Sequence, residues 1–343
     1  MNVAPGAPLA AFGARTALAT GTVPTTGQTA AIVGSRVGWR RRIGETGLHV
    51  FPLALSGNVF GWTADPATTT ELLDGYVERG GNFVDTADSY ASGRSETLIG
   101  GWMRQRGTRD QLVIATKVGK SAEHPGVTAP AVAAAVDASL RRLQTDRIDL
   151  LYLHIDDPEV PFEQTLLAVD ELIRAGKVLH FGASHHTGER LFEARVASAQ
   201  LGVAPMVALQ NEYNLVARTE YEGTLARVAA SQGLAVMPRF GLASGFLSGK
   251  YRSKADLVRS ARGAEVTRHL GRRGLRVLTA LDRVAAAHDA SVATIALAWL
   301  LSKPRVVAPV VSASRPEQLF DLMAAPEVQL TRHEVAELDR VSA

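Results

Sequence analysis

The stretch NFVDTADSY (residues 82–90) opens with an apolar run typical of a buried β-strand and supplies an acid and a phenol, Asp85 and Tyr90. Two later stretches repeat the pattern of an apolar run with a titratable side chain at its end: VIATKVG (113–119) with Lys117 and LLYLHIDD (150–157) with His154. The intervals between Asp85, Lys117 and His154 are 32 and 37 residues, and a strand-plus-helix unit of a parallel sheet takes roughly 30 or more. Because active sites of parallel barrels lie where the strands end, we expect these side chains at one mouth.

Apolar segments alternate with helical segments from Arg40 onward. The predicted strands are 53–56, 82–86, 111–117, 148–154, 178–184, 206–210, 234–238 and 306–311. The predicted helices are 66–79, one announced by Gly93–Glu96 with Ser95 as its N-cap, 129–143, 162–175, 188–200, 220–231, 273–288 and 315–324. This β-then-α alternation indicates an α/β fold of the TIM (β/α)8 barrel type rather than an open sheet. The first strand also lacks the G-x-G-x-x-G fingerprint of a dinucleotide-binding open sheet, since LALSGNVFGW follows instead.

Three further segments depart from simple alternation. IGETGLHVFPL (43–53) is expected to form an N-terminal hairpin with its turn at 45–47. The stretch 239–271, after the seventh strand, is a long loop, and loops of this length in compact domains are usually functional. An extra helix is predicted over 291–303, between the seventh and eighth strands.

The composition is that of a globular protein with material for one large core: 46% of the residues are hydrophobic and 21% are charged. The chain has no cysteine, which excludes a disulfide scaffold and thiolate zinc sites. Residues 1–44 hold five arginines and no acidic residue, and therefore carry a charge of +5. Since the whole chain has a net charge of +3, the remaining residues carry −2, and no nucleic-acid partner is predicted. No apolar run reaches the ~18 residues of a membrane span, and we expect a cytoplasmic protein without a membrane partner.

Residues 1–38 are predicted to be a disordered tail that precedes a barrel domain over 39–343. The tail is rich in Ala, Gly, Thr and Pro and nearly uncharged. Its apolar stretch APLAAFGA lacks the basic start of a secretory signal. The arginines at 40–42 are not followed by the apolar stretch of a twin-arginine export signal.

The four residues predicted at the barrel mouth suit proton transfer to a carbonyl group. A free phenol has a pKa of about 10, and a neighbouring ammonium group favours the phenolate. Lys117 would supply that charge and Asp85 would fix Lys117, so that Tyr90 serves as a general acid while His154 orients the carbonyl. Each residue alone also fits a simpler role, as a packed tyrosine, a rim lysine, a capping aspartate or a core histidine. Their coincidence in consecutive units favours a shared site.

Longer motifs around these residues resemble those of the aldo-keto reductases, in the same order: GGNFVDTADSYASGRSE, IATKVG, DLLYLH, GKVLHFGAS, LQNEYNL, ASGFLSGKY and RPEQL. The likeness covers about residues 39–342. It implies a TIM barrel that uses NADP(H), occasionally NAD(H), without a metal. It also implies that the family's catalytic residues fall on Asp85, Tyr90, Lys117 and His154. The expected activity is reduction of an aldehyde or ketone to the alcohol.

The resemblance implies nicotinamide contacts from Ser184 and Gln210, which match the family's Ser and Gln. His185 stands where the family has Asn, and Arg239 stands where it has an aromatic residue that stacks on the nicotinamide. Arg239 either stacks through its guanidinium plane or faces the substrate, with Phe240 stacking in its place.

Three more positions near the cofactor or substrate follow from the resemblance. Gly57 and Asn58 are expected beside the nicotinamide ribose. Trp62 is expected to form a wall of the substrate pocket, together with Tyr90 and His154.

The phosphates of the cofactor are expected at two segments. In LASGFLSGK (242–250), backbone amides would approach the pyrophosphate; the contributing residues are Leu242, Ser244, Gly245 and Lys250. In SASRPEQL, the adenosine 2′-phosphate would be clamped, which favours NADPH over NADH; the contributing residues are Ser314, Arg315 and Gln318. Leu322 stands where the family commonly has an Asn near the adenine.

Other functions remain open at this point. Lys117 could form a Schiff base as in barrel aldolases, or the chain could be a cofactor-binding regulatory protein, as the potassium-channel β-subunits of the same family are. The acidic segment 156–161 and the basic segment 252–273 favour a polar or sugar-like carbonyl, with an aromatic one as the alternative. The sequence predicts no metal site, because adjacent strand residues such as His185 and His186 point to opposite faces. It indicates no oligomeric state.

Overall fold

A computed structural model describes residues 40–257 and 263–343, so the predicted tail lies outside the described residues. The strands within them are β1 (Arg41–Arg42), β2 (His49–Val50), β3 (Ala54–Ser56), β4 (Phe83–Asp85), β5 (Val113–Val118), β6 (Ile148–Leu153), β7 (Val178–Ser184), β8 (Ala208–Gln210), β9 (Ala235–Val236) and β10 (Val310–Val311). The helices are α1 (Pro66–Glu78), α2 (Arg94–Arg106), α3 (Ala129–Leu143), α4 (Phe162–Arg174), α5 (Gly188–Leu201), α6 (Thr224–Ser231), α7 (Gly263–Thr267), α8 (Arg272–Ala287), α9 (Val292–Leu301), α10 (Gln318–Met323) and α11 (Arg332–Ser342).

Eight parallel strands form one sheet in the order β10-β3-β4-β5-β6-β7-β8-β9. The two ends of the sheet meet through backbone hydrogen bonds: the amide of Val236 donates to the carbonyl of Arg305, and the amide of Val310 donates to that of Pro238. With helices between the strands, this arrangement confirms the predicted (β/α)8 barrel, including its hairpin, its long loop and its extra C-terminal helices.

The two-residue period of the strands separates two cores. Val113 and Ala115 of β5 pack inside the barrel, whereas Ile114 and Val118 pack between the strands and the helices. Lys117 continues the inner face of β5 because it lies two residues beyond Ala115. The same period places four more polar side chains on the inner face at the carboxyl ends of their strands: Asp85, His154, Ser184 and Gln210.

The N-terminal hairpin of β1 and β2 contributes to the inner core. Its strands pair antiparallel, as predicted, with Arg41 opposite Val50. Ile43 and Val50 are fully buried in the inner core. Asn82, just before β4, ties the hairpin to the sheet, because its side chain accepts from the amide of Phe51 at 2.7 Å.

The prediction that Ser95 caps α2 is wrong. The helix begins at Arg94, after Gly93 in a left-handed conformation. Ser95 is fully buried, and its hydroxyl donates to the carbonyl of Gly57 at 2.8 Å. A tertiary contact with the end of β3 therefore replaces the expected local cap.

Prolines account for other departures from the predicted bounds. The helix predicted from residue 315 begins at Gln318, since a residue before proline, here Arg315 before Pro316, disfavours the helical region. The strands predicted over 234–238 and 306–311 are reduced to β9 and β10. Pro238 and Pro309 lack the N–H group that would extend the ladder.

The long loop after β9 includes short 3₁₀ turns at Ala243–Ser248 and Lys254–Leu257, followed by α7; residues 258–262 lie outside the described part. The predicted extra helix is α9, and all but its first residue are buried. Among the described helices, no single one is long and apolar enough to cross a membrane. The pair α8 and α9 together reaches that length and composition, with a bend of 95° between them.

Two neighbouring glycines of α2 provide a test of the helix packing. A Cβ atom on Gly100 would lie 2.4 Å from the carbonyl oxygen of Arg142 at the end of α3, whereas one on Gly101 would meet nothing within 4 Å. Gly100→Ala should lower the free energy of unfolding by about 1–3 kcal/mol through overpacking. Gly101→Ala should raise it by up to about 1 kcal/mol through helix propensity. Denaturant unfolding of both variants checks this, and equal effects would contradict the close approach of α2 and α3.

Candidate active site

Lys117 and Asp85 form a buried ion pair at the carboxyl ends of β5 and β4. The ammonium nitrogen lies 2.6 Å from Asp85 Oδ1, and the two side chains are 1% and 0% exposed. The same nitrogen donates to the carbonyl of Thr86 at 2.8 Å and to the hydroxyl of Tyr90 at 3.4 Å. All three ammonium protons thus have acceptors, and the third points the charge at the phenol.

The charge state of Lys117 follows from these contacts. Burial by itself lowers the pKa of Lys117, but the Asp85 carboxylate and the Tyr90 phenol outweigh it, so that its pKa lies above the ordinary value. The second oxygen of Asp85 accepts from the side-chain amide of Gln210 at 2.8 Å. Lys117 is therefore a fixed cation, and Asp85 is held from both sides of the barrel.

His154 lies against Tyr90 with its ring edge-on and the ring centroids 6.2 Å apart. Burial, then the charges of Lys117 and Lys120, lower the pKa of His154 to about 2. Its Nδ1 atom is buried and has no partner among the described residues. The side chain is thus a neutral imidazole that can donate one hydrogen bond.

Tyr90 and His154 line a cavity of about 790 Å³ at the mouth of the barrel, while Asp85 and Lys117 lie behind them. The other predicted site residues that line this cavity are Asn58, Trp62, His185, Gln210, Arg239, Leu242, Ser244, Gly245, Lys250, Ser314, Arg315 and Gln318, with Leu322 beside them. Gly57 and Ser184 do not line it. Both are buried, Gly57 against Ser95 and Ser184 at the end of β7.

His185 and Arg239 also line the cavity near His154. The His154 and His185 rings are 6.0 Å apart. Burial, and then the charge of Arg239, lower the pKa of His185 to about 4. The guanidinium of Arg239 lies 4.8 Å from the centre of the Phe240 ring, and its Nε is buried with no partner in the described structure. The two side chains that were predicted as alternatives for stacking on the nicotinamide, Arg239 and Phe240, therefore stack on each other.

The loop at 242–250 contains a left-handed turn beside a cation. Ala243, Ser244 and Gly245 are consecutive residues with positive φ, and the amides of Ala243 and Gly245 donate to the carbonyls of Phe240 and Leu242. The Ser244 hydroxyl donates to the carboxylate of Glu265 on α7. A Cβ atom on Gly245 would lie 3.6 Å from Lys250 Nζ, so glycine leaves this cation close to the turn.

The second predicted phosphate segment is partly committed to internal contacts. Gln318 Oε1 accepts from the amide of Ser314 at 2.8 Å. Arg315 is exposed at the cavity edge, before the start of α10. Leu322 is 3% exposed and packs in the core. Arg315 is thus the cation of this segment that faces the cavity.

Asp88 and Lys120 were not among the site residues predicted from the sequence. The amide of Asp88 donates to the carbonyl of Lys117 at 3.0 Å, and Asp88 Oδ2 accepts from the amide of Gly119 at 3.3 Å. Asp88 thus connects the loop that carries Tyr90 to the end of β5. Burial, then the charge of Glu96, raise the pKa of Asp88 to about 6. In the sequence only their positions could have indicated them: Asp88 lies three residues after Asp85, and Lys120 lies three residues after Lys117.

No group of three or more His, Asp or Glu side chains converges as a metal site in residues 40–257 and 263–343. His185 faces the cavity, whereas His186 is buried and stacks on Phe162 with a centroid distance of 6.1 Å. The two adjacent histidines therefore have different surroundings.

The sequence model of the aldo/keto reductase family matches residues 53–343, which carry the whole parallel barrel and its mouth. The chain belongs to this family. It is 30% identical to a norsolorinic acid reductase of Aspergillus flavus, over 88% of this chain and 81% of that protein. It is 31% identical to an aryl-alcohol dehydrogenase of Pestalotiopsis microspora, over 85% and 79%.

A third relative of this aldo/keto reductase bears a different kind of name. The chain is 30% identical to a probable voltage-gated potassium channel subunit beta of Arabidopsis thaliana, over 84% of this chain and 91% of that protein. The family and the names of the first two relatives support an oxidoreductase that acts on carbonyl or alcohol groups.

The neutral state of the two cavity histidines can be tested by NMR. Because their pKa values of about 2 and 4 lie below the ordinary value of about 6.5, the ring signals of His154 and His185 should not shift between pH 5.5 and 8. Signals are assigned by their loss in His154→Gln and His185→Gln. A titration midpoint near pH 6.5 for either ring would contradict the desolvated cationic surroundings described above.

Proposed function

We propose that this chain reduces an aldehyde or ketone to the alcohol with NADPH, and that Tyr90 is the general acid. The observation that carries the proposal is the contact of the Lys117 ammonium with the Tyr90 hydroxyl at the cavity floor. The ion pair with Asp85 fixes that ammonium from behind.

The proton is delivered by this chain's own groups. As the carbonyl carbon is reduced, its oxygen becomes an alkoxide that requires a proton, and Tyr90 supplies it. The phenolate left on Tyr90 is stabilised by the cation of Lys117 in a water-poor setting, where charge interactions are stronger than in water. The same phenolate would be the base in the alcohol-oxidising direction.

His154 orients the carbonyl in this scheme. As a neutral imidazole it donates one hydrogen bond to the carbonyl oxygen beside the Tyr90 hydroxyl. An imidazolium there would compete with Tyr90 as a proton donor and would repel Lys117. The low pKa of His154 therefore leaves the proton transfer to the phenol.

NADPH would supply the hydride, and the residues present fit its two ends. Toward the nicotinamide, Asn58 lines the cavity, and its buried Oδ1 atom has no partner among the described residues. Buried polar atoms rarely remain unsatisfied, and an amide-bearing ligand would supply the missing hydrogen bond. Toward the phosphates, Lys250 lies beside the left-handed turn at 243–245 and would supply a cation.

A preference for NADPH over NADH rests on Arg315. Its side chain is exposed at the cavity edge and makes no hydrogen bond or ion pair within the described ranges. An uncommitted guanidinium suits a phosphate monoester.

Aromatic carbonyls fit the mouth better than sugars do. Flat side chains surround it: Trp62, which is 58% exposed, together with Phe240 and His185. The names of two relatives, a norsolorinic acid reductase and an aryl-alcohol dehydrogenase, point in the same direction.

A second candidate function is a cofactor-binding regulatory role, which the similarity to a probable potassium channel subunit beta favours. In that case the chain would bind NADPH but turn over carbonyls slowly or not at all. Schiff-base chemistry at Lys117 is disfavoured, because a nucleophilic amine must lose its proton and the pKa of Lys117 lies above its ordinary value. Failure of borohydride to trap an aldehyde on Lys117 would agree with this.

Tyr90→Phe tests the proposed acid. The variant should lose about 10²–10⁴-fold in kcat for an aromatic aldehyde, while the Kd for NADPH, measured by fluorescence titration, should stay within about twofold. Tyr221→Phe is the matched control, since Tyr221 is buried outside the cavity. Full turnover by Tyr90→Phe would remove the phenol from the mechanism, and binding of NADPH without turnover by the unmodified chain would favour the regulatory role.

Arg315→Gln tests the cofactor preference. Loss of one charge-assisted contact should raise the Kd for NADPH by about 10–100-fold and leave the Kd for NADH within about twofold. Arg332→Gln, on α11 and away from the cavity, should change neither value. Equal weakening of both cofactors would show that Arg315 does not contact the 2′-phosphate.

A further inference from the structure

Two cations near Tyr90 and His154, Lys120 after β5 and Arg239 after β9, line the cavity from opposite sides of the mouth. The single carboxylate among the described lining residues belongs to Asp321 on α10. That helix follows β10, which neighbours β9 where the barrel closes but lies three strands around the barrel from β5, the strand that precedes Lys120. The part of the cavity around Lys120 is therefore positive, and no acidic side chain among the described lining residues lies beside it.

Neither cation is neutralised by an ion pair. Lys120 makes no hydrogen bond or ion pair with any described residue, and Arg239 stacks on Phe240 with its Nε buried and unpartnered. Glu212 attracts Arg239, but its carboxylate is also shared with Arg268 at 3.3 Å. These two cations thus face the cavity without a committed counter-ion.

The two charges act on each other and on their neighbours. Burial, then the charges of Arg239 and Lys117, lower the pKa of Lys120. Lys120 and Arg239 also contribute to the low pKa values of His154 and His185. Unpaired like charges in one cleft repel each other and raise the local concentration of anions, so an anionic group in the cavity would relieve the repulsion.

The backbone holds Lys120 in this position. Gly119 has a φ of 114°, which only glycine adopts readily, and it turns the chain at the end of β5. Its amide donates to Asp88 Oδ2 at 3.3 Å, and its carbonyl accepts from the amide of Gly126 at 2.9 Å. The base of the Lys120 side chain is thus fixed at the mouth rather than carried on an unsupported loop.

We infer that the preferred substrate carries a carboxylate in addition to its carbonyl group, and that Lys120 binds it, with the charge of Arg239 across the mouth adding to the attraction. This inference rests on the proposed carbonyl reduction at Tyr90 and narrows its substrate class. A carboxylate accepts a charge-assisted hydrogen bond from an ammonium group. The flat side chains around the mouth suit an aromatic ring between the carboxylate and the carbonyl.

The test compares 4-formylbenzoate with its neutral methyl ester, which has nearly the same shape. With NADPH, kcat/KM should favour the carboxylate about tenfold, as expected for a charge-assisted contact at an exposed lysine. Rising salt should reduce the preference because it screens exposed charges. Lys120→Met should abolish the preference, Lys120→Arg should retain most of it, and Lys120→Glu should invert it.

Lys254→Met is the matched control, because Lys254 is exposed on the long loop and does not line the cavity; its preference should equal that of the unmodified chain. The inference is overturned if the unmodified chain shows no preference for the carboxylate, or if Lys120→Met keeps the preference.

Calorimetric binding of 4-(hydroxymethyl)benzoate, the alcohol product, distinguishes failure of the carboxylate site from failure of the proposed carbonyl reduction. Without turnover of either aldehyde, binding that Lys120→Met weakens tenfold would support the carboxylate site alone, and undetectable or unchanged binding would overturn it.

Discussion

The buried ion pair between Lys117 and Asp85 is the interaction on which the site depends. Taking two charges out of water costs several kcal/mol per ion in real proteins, so the pair persists only because each group is fully satisfied. Lys117 reaches the carbonyl of Thr86 and the Tyr90 hydroxyl, and Asp85 accepts from Gln210 on the far side of the barrel. An apolar pair of similar volume could fill this space without that cost. The role of the charged pair follows from its position, because it directs a permanent positive charge at the hydroxyl of Tyr90.

The barrel converts this local arrangement into a cavity. Eight strands point their alternate residues inward, and the lower layers of the barrel are filled by apolar side chains such as Phe83 and Leu150. Polar inner residues occur where the strands end, so Asp85 and Lys117 form the upper limit of the apolar filling. The mouth above them is open, and loops from several strands decide what it accepts.

Much of the fold and of the site could be predicted from the sequence. Strand order, the hairpin and most helix positions follow from periodicity, and the four mouth residues follow from the spacing of strand ends. The sequence could not reveal contacts between distant segments, and local proline effects moved some helix and strand ends. Ser95 has the chemistry of a helix cap but donates instead to Gly57. Lys120 could not be predicted as a site residue, because only the folded structure brings it close enough to Arg239 and His185 to affect their charge states.

The sequence by itself determined the alternation of strands and helices and the residue types at the strand ends, because both are properties of local periodicity and spacing. The tertiary structure alone decided their charge states. Whether Lys117 is an ammonium or an amine, and whether His154 is neutral, depends on burial and on charges from other strands. Since the shift of a pKa from its ordinary value is set by all the groups that face a side chain, it arises only once the barrel has closed around that side chain.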